Sequence, residues 1–206
     1  TVIAFDYPGE FSVITGILGA TGFNVISGDV FTYSPAEQSP KQRGLSRQRP
    51  SYLARRKIID RFSGRLEDFQ PLELWESRLR RLLGEVVLEL EQGGAQGLAW
   101  ARRRVNELVA DHLASLSLRA EAVLYPVHIT LHREPEERTL LRVVSQDTPF
   151  FLYTLSTALS LHSVFIESIR IRTVDNRIED EFSFLDARGG RITDPRRLDQ
   201  VKLSVL

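Results

Sequence analysis

Asp6-Tyr7-Pro8-Gly9 near the start of the chain and Asp147-Thr148-Pro149-Phe150 far downstream place a carboxylate beside residues that punctuate the backbone. In each, the carboxylate can accept backbone N–H bonds and proline fixes φ; in the first, glycine also permits dihedrals closed to other residues. Both stand just ahead of an apolar helical pattern. The remaining candidates for chemistry read more blandly. His128 and His132 are four apart, a spacing that on a helix puts two metal ligands on one face. Pro126 and the β-branched alternation around them favour a strand instead, where they stand roughly 13 Å apart at about 3.3 Å per residue, too far to share a metal. His112 lies on an apolar helical stripe and His162 near a helix end, so both read as core or cap residues. Asp60 and Asp180 suggest paired carboxylates, but they belong to different parts of the chain and to strands expected at sheet edges, and are expected as surface acids. No serine sits in a nucleophile elbow and no glycine-rich phosphate loop occurs. The reading therefore assigns no catalytic residue, no metal ligand and no cofactor.

The two turns are equivalent because the sequence around them is duplicated at a constant offset of 141 residues. At that offset Ile3 falls on Val144, Phe11 on Leu152, Ile14 on Leu155, Leu18 on Leu159, Val25 on Ile166, Val30 on Ile171 and Thr32 on Thr173. With insertions allowed, Asp60-Arg61-Phe62-Ser63 matches Asp180-Glu181-Phe182-Ser183, and the stretch from Gly64 to Asp68 matches that from Gly190 to Asp194.

Each copy needs the same elements to hold its turn. Val2 to Phe5 is a short strand; Phe11, Ile14 and Leu18 recur at helical spacing up to Gly22; Asn24 to Tyr33 alternates as a second strand; Lys57 to Phe62 is a third. Leu72 to Leu90 is a strong amphipathic stripe ended by Gly93-Gly94, and Leu98 to Leu116 is another. Val123 to His132 alternates and is expected to close the first copy as its last strand. Copy two repeats the order: strand from Thr139 to Ser145, helix from Phe151 to Leu161, strand through Ile166 to Thr173, a six-residue turn from Val174 to Glu179, strand from Ile178 to Leu185, and a helix opened by Pro195. The fold class is α+β: two βαββαβ, ferredoxin-like units with antiparallel sheets and helices on one face. Unit one spans 1–132, enlarged by a loop at 34–56 and a helical insertion at 93–122. Unit two spans 133–206 and is expected to end short of its last strand.

The loop at 34–56 is rich in Pro, Ser and Gln, with Lys41, Arg43, Arg47, Arg49, Arg55 and Arg56 against a single Glu37. It reads as a solvated excursion, with docking of an acidic partner second and nucleic-acid contact third. Globally, 27 basic residues balance 27 acidic ones, so no overall pull toward nucleic acid or an anionic membrane is expected. Cysteine is absent, which excludes disulfides and thiolate chemistry and fits a reducing compartment, the cytoplasm. No run of about 18 apolar residues suggests a membrane span. Methionine is also absent and the chain opens inside a strand pattern, so a fragment of a longer polypeptide is expected.

A βαββαβ unit with Asp6, Pro8 and Gly9 before its helix and Gly22-Phe23-Asn24-Val25 entering its second strand resembles the ACT domain, a regulatory module. Copy two adds Asp147, Pro149, Ile169-Arg170-Ile171-Arg172-Thr173 and Asp180-Glu181-Phe182. Two such units in tandem, with Pro126-Val127-His128-Ile129 ahead of the second, resemble the C-terminal regulatory region of the PII uridylyltransferase (uridylyl-removing) family and its relatives, the glutamine synthetase adenylyltransferase-like nucleotidyltransferases. The resemblance implies binding of a free amino acid, in that family glutamine, to report nitrogen status to catalytic domains elsewhere in the parent chain. It also implies the PII signal protein or a second copy as partner. The alternative is an ACT-like scaffold that binds no ligand and serves dimerisation or docking. In ACT domains the ligand lies between units, against the first turn of one and strand two of its neighbour, which designates Asp6, Tyr7, Gly9, Glu10, Phe11, Asn24 and Val25. Gly9 would let helix N–H groups approach an α-carboxylate, Asp6 would accept from an α-ammonium, and Asn24 offers a donor and an acceptor. Copy two departs at the telling position, with Phe150 for Gly9 and Phe165 for Asn24. Its turn is expected to bind no ligand or to pack its aromatic pair on a partner.

Overall fold

The computed structural model describes residues 1–7, 9–33, 56–66, 70–116, 126–133, 138–162, 164–175, 177–186 and 190–205. Seven strands form one antiparallel sheet: β1 (Val2–Phe5), β2 (Phe23–Tyr33), β3 (Lys57–Leu66), β4 (His128–Arg133), β5 (Thr139–Gln146), β6 (Phe165–Val174) and β7 (Arg177–Leu185). Their spatial order is β1-β3-β2-β6-β7-β5-β4. Five helices accompany them: α1 (Glu10–Ala20), α2 (Leu72–Gln92), α3 (Gly94–Ser115), α4 (Phe151–Ser160) and α5 (Pro195–Val205). Period-2 burial explains the layering. Val30, Ile58, Ile169 and Ile171 are buried, while Asp29, Phe31, Ile59 and Arg170 on the alternate positions are exposed.

The two copies meet through β2 and β6, which pair antiparallel. Asp29 lies opposite Arg170, its own counterpart at the 141-residue offset. Above the sheet the Thr15 and Ser156 hydroxyls, another pair of counterparts, stand 3.4 Å apart between α1 and α4. A local two-fold axis therefore passes through both points. Even the irregularities repeat: β2 is bulged between Val25 and Ser27, and β6 between Ile166 and Ser168, the same offset again. A bulge turns the strand entry and re-aims its side chains.

Three expectations need correction. The strand before the second copy does not close the first: β4 pairs with β5, from His128 against Val144 to Arg133 against Thr139. β4 and β5 are close in sequence, so their pairing closes a short loop, and Ile129 and Leu131 pack in the cluster that holds Leu198 and Val201 of α5. Among the described residues no strand lies outside β1, the corresponding edge of copy one. The turn between β6 and β7 is shorter than six residues, because the two strands run into it and pair Val174 with Arg177. The match of Gly64 to Gly190 is not structural: Gly64 continues β3 opposite Val25, too close to the Asn24 carbonyl for any side chain, whereas Gly190 follows the end of β7. The basic segment 34–55 and the end of the helical insertion, 117–122, lie outside the described residues.

Candidate functional site

Asp6 and Tyr7 lead into a turn that opens α1, and Asp147 and Thr148 into one that opens α4. The backbones superpose in kind. Gly9 has φ 79° and Phe150 φ 61°, both left-handed. The Glu10 N–H donates to the Tyr7 carbonyl, as Phe151 does to Thr148, and the N–H of Val13 to Gly9, as Thr154 to Phe150. Only glycine adopts this conformation without strain, so Phe150 is held there by its contacts. Its ring fills the space above Gly19 of α1, where a Cβ would lie 2.6 Å from it, and meets the His112 ring of α3 edge-on at 5.6 Å. The expected aromatic packing partner is thus the chain itself.

Each turn faces the other copy's second strand across the axis. At the first turn, Asp6, Tyr7, Gly9, Glu10, Phe11 and Asp60 share a cavity of about 440 Å³ with Phe165 and Ile166 of β6 and with Leu98 and Arg102 of α3. At the second, Asp147 to Tyr153 and Asp180 share about 190 Å³ with Asn24 and Val25. The structure therefore splits the seven residues expected to act together. Asp6, Tyr7, Gly9, Glu10 and Phe11 stay together, whereas Asn24 and Val25 belong to the opposite cavity, and Phe165 stands where Asn24 was expected. The reason is the axis: each cavity reaches the entry of the neighbour's second strand as well as its own strand, Val30 and Thr32 at the first turn and Ile171 and Thr173 at the second.

Burial sets the charge states. Asp60 and Asp180, expected on the surface, are both fully buried. Period-2 alternation puts Asp60 on the same face as Ile58 and Phe62, and Asp180 with Ile178 and Phe182, a signal legible in the sequence. Burial, with the nearby Asp6 carboxylate, pushes Asp60 up to about 7 against the pull of the Thr1 amino group. Among the described residues neither Asp60 oxygen has a hydrogen-bond partner. Asp180 is also pushed up to about 7 by burial, opposed by the Arg172 N–H that donates to its Oδ1 at 3.1 Å and aided by Asp147. Glu10, 4% exposed, is pushed up to about 9 by burial and by Asp60, despite the Tyr7 N–H at 3.4 Å from its Oε2. At neutral pH Glu10 is protonated. Burial raises Asp6 too, while Arg56 lowers it through an ion pair of 3.0 Å. The same guanidinium lies 5.5 Å over the Phe165 ring, tying turn one to β6.

Asp60 and Arg102 as residues of this cavity, and Arg56 as the ion-pair partner of Asp6, were not foreseen from the sequence. Arg102 flanks the Leu98, Ala101 and Val105 stripe of α3, so only the docking of α3 against α1 reveals it. His128 and His132 lie on β4, and among the described residues no group of three metal-type ligands occurs. None of the described helices is long and apolar enough to cross a membrane.

No family model matches the chain, and no solved structure does. Curated relatives do, along its whole length. It is 25% identical over 206 residues to the bifunctional uridylyltransferase/uridylyl-removing enzyme of Nitrobacter hamburgensis, 28% over 209 to that of Rhodopseudomonas palustris and 27% over 207 to that of Gluconobacter oxydans. Each alignment takes in 100% of this chain and 19% of the relative, so the chain spans about a fifth of the length of the proteins it matches. From end to end, this chain is thus similar to a stretch of the bifunctional uridylyltransferase/uridylyl-removing enzymes, the family that its two units in tandem resemble.

Proposed function

We propose that this chain is an amino-acid-binding regulatory region, ACT-like in both copies, that reports free glutamine to the catalytic domains of a larger nitrogen-regulatory nucleotidyltransferase in the cytoplasm. It carries out no catalysis of its own. The observation that supports this reading best is the cavity at the first turn, set between the copies, with Gly9 at a helix N-terminus and two buried acids, Asp60 and Glu10, that retain oxygens unpartnered among the described residues. Buried polar atoms without partners mark a place where a polar ligand completes the bonding. The relatives' names favour uridylyl over adenylyl transfer in the parent enzyme, with the PII signal protein as its protein partner. A ligand lodged between β6 and the first turn shifts the arrangement of the copies only by binding one arrangement better than another.

Calorimetric titration with L-glutamine, then with the other protein amino acids, tests the reading. One saturable site per chain is expected, because the second cavity is smaller and walled by Phe150. Heat from none of them, in a chain shown by circular dichroism to be folded, removes the sensor reading. A specific observation then favours the scaffold alternative: Ile3, Ile59 and Phe31 are aligned across β1, β3 and β2 and exposed by 72%, 46% and 57% on the open face of the sheet. Sedimentation would show whether that row joins two copies.

A further inference from the structure

The cavity at the first turn has a third wall that belongs to neither repeat. α3 lays Leu98 and Arg102 along it. One guanidinium nitrogen of Arg102 stands 3.4 Å from where a Gly9 Cβ would be, beside the start of α1, where first-turn N–H groups and the helix dipole favour an anion. Its neighbour Arg104 is engaged by Glu85 at 3.4 Å and Glu107 at 3.8 Å. Arg102 is half-buried and makes no ion pair among the described residues. In the same cavity Asp6 is occupied by Arg56, so the ordinary candidate for an ammonium partner is already neutralised. Asp60 is not: it is fully buried, and among the described residues both its oxygens lack hydrogen bonds.

We propose that Arg102 and Asp60 are the two poles of a zwitterion site: Arg102, with the first-turn N–H groups of α1, holds the α-carboxylate of the bound amino acid, and Asp60 holds its α-ammonium. This rests on the amino-acid reading above and adds the residues that select the ligand class. Guanidinium suits a carboxylate because its planar fork can donate two parallel hydrogen bonds. An unpartnered buried carboxyl is stabilised by a cationic donor. Glu10, raised by burial and by Asp60 itself, stays neutral and does not compete for the ammonium. The inserted helix also makes the site single. Along α3, Arg102 stands at Gly9 while His112 stands against Phe150, so the second turn meets an imidazole edge, and among the described residues no arginine lines its cavity.

The test uses the chain with three probes: L-glutamine, L-glutaminol, in which an alcohol replaces the α-carboxylate, and glutaramate, which keeps the carboxylate and lacks the α-amino group. Arg102→Gln should weaken glutamine by about 10- to 100-fold, the range for a charge-assisted contact, and leave glutaminol unchanged. Asp60→Asn should weaken glutamine by a similar factor and leave glutaramate unchanged. Arg102→Lys should recover part of the loss. Unfolding curves of each variant establish that it is folded. Wild-type glutamine binding that survives Arg102→Gln, or a variant that loses all three probes equally, overturns the zwitterion assignment while leaving the amino-acid reading in place. A folded wild type that binds no amino acid overturns both.

Discussion

Turn one and turn two share a backbone and differ in what fills it. Both start a helix from a left-handed residue, both face the other copy's bulged strand, and both have a buried aspartate on the third strand. In turn one the left-handed residue is glycine and a cavity of about 440 Å³ remains; in turn two it is Phe150, and about 190 Å³ remains. The residue at that one dihedral differs, and with it an open turn stands against a packed one. Duplication supplied two equivalent frames, and the insertion of α3 across them supplied the asymmetry, Arg102 at one end and His112 at the other.

The sharpest way to break the comparison is to give turn one the residue of turn two. Gly9→Phe should abolish amino-acid binding, at least about 100-fold by the loss of a charge-assisted contact and of space, measured by titration. Phe150 shows that the backbone tolerates phenylalanine there, so the variant should fold, at a cost of about 1–2 kcal/mol for the left-handed conformation. Retained binding would mean that the contents of the turn do not decide the site.

Next in size is the response to pH. Asp60 and Asp180 hold protons up to about 7 in the folded chain but release them near 3.9 when unfolded. Between about pH 4 and 7 the native state binds more protons, so the stability these groups confer is complete below pH 4 and is lost as pH rises through 7. Each loss is on the order of a few kcal/mol. Asp60→Asn and Asp180→Asn should flatten that decline in urea unfolding at pH 5, 6.5 and 8. The larger gain at pH 8 should come from Asp60→Asn, since Asp180 alone has a backbone N–H to stabilise its charge. Equal slopes in wild type and both variants would contradict the burial of these acids.

The smallest effect expected is that of emptying turn two. Phe150→Gly relieves the left-handed strain but forfeits the ring's packing on Gly19 and His112, for a net loss of about 1–2 kcal/mol by denaturant unfolding. It should not create a second binding site, because among the described residues no arginine lines that cavity. A second equivalent of amino acid bound by this variant would show that Phe150 alone, and not the inserted helix, makes the site single.

Most elements were legible in the sequence because they depend on local period and dihedral preference. The apolar spacing of Phe11, Ile14 and Leu18 sufficed for α1, alternation from Asn24 to Tyr33 sufficed for β2, and the constant offset foretold that copy two would repeat them. The buried state of Asp60 and Asp180 was half-legible: alternation puts them on the inner face, yet their strands were expected at sheet edges, whereas β3 lies between β1 and β2 and β7 between β6 and β5. The fate of the strand at 128–133 was not legible, since its alternating pattern suits either edge and the decision fell to a short connection and the apolar face of α5.

The sequence alone determined the duplication, the two turns and the difference between Gly9 and Phe150, because backbone permission is a property of the residue itself. Only the tertiary structure decided that Asp6 faces Phe165 while Asn24 faces Phe150, and that Arg102 reaches Gly9. Those neighbours are set by the two-fold axis through Asp29 and Arg170 and by the docking of α3. Contacts across an axis carry no local period, so no spacing along the chain announces them.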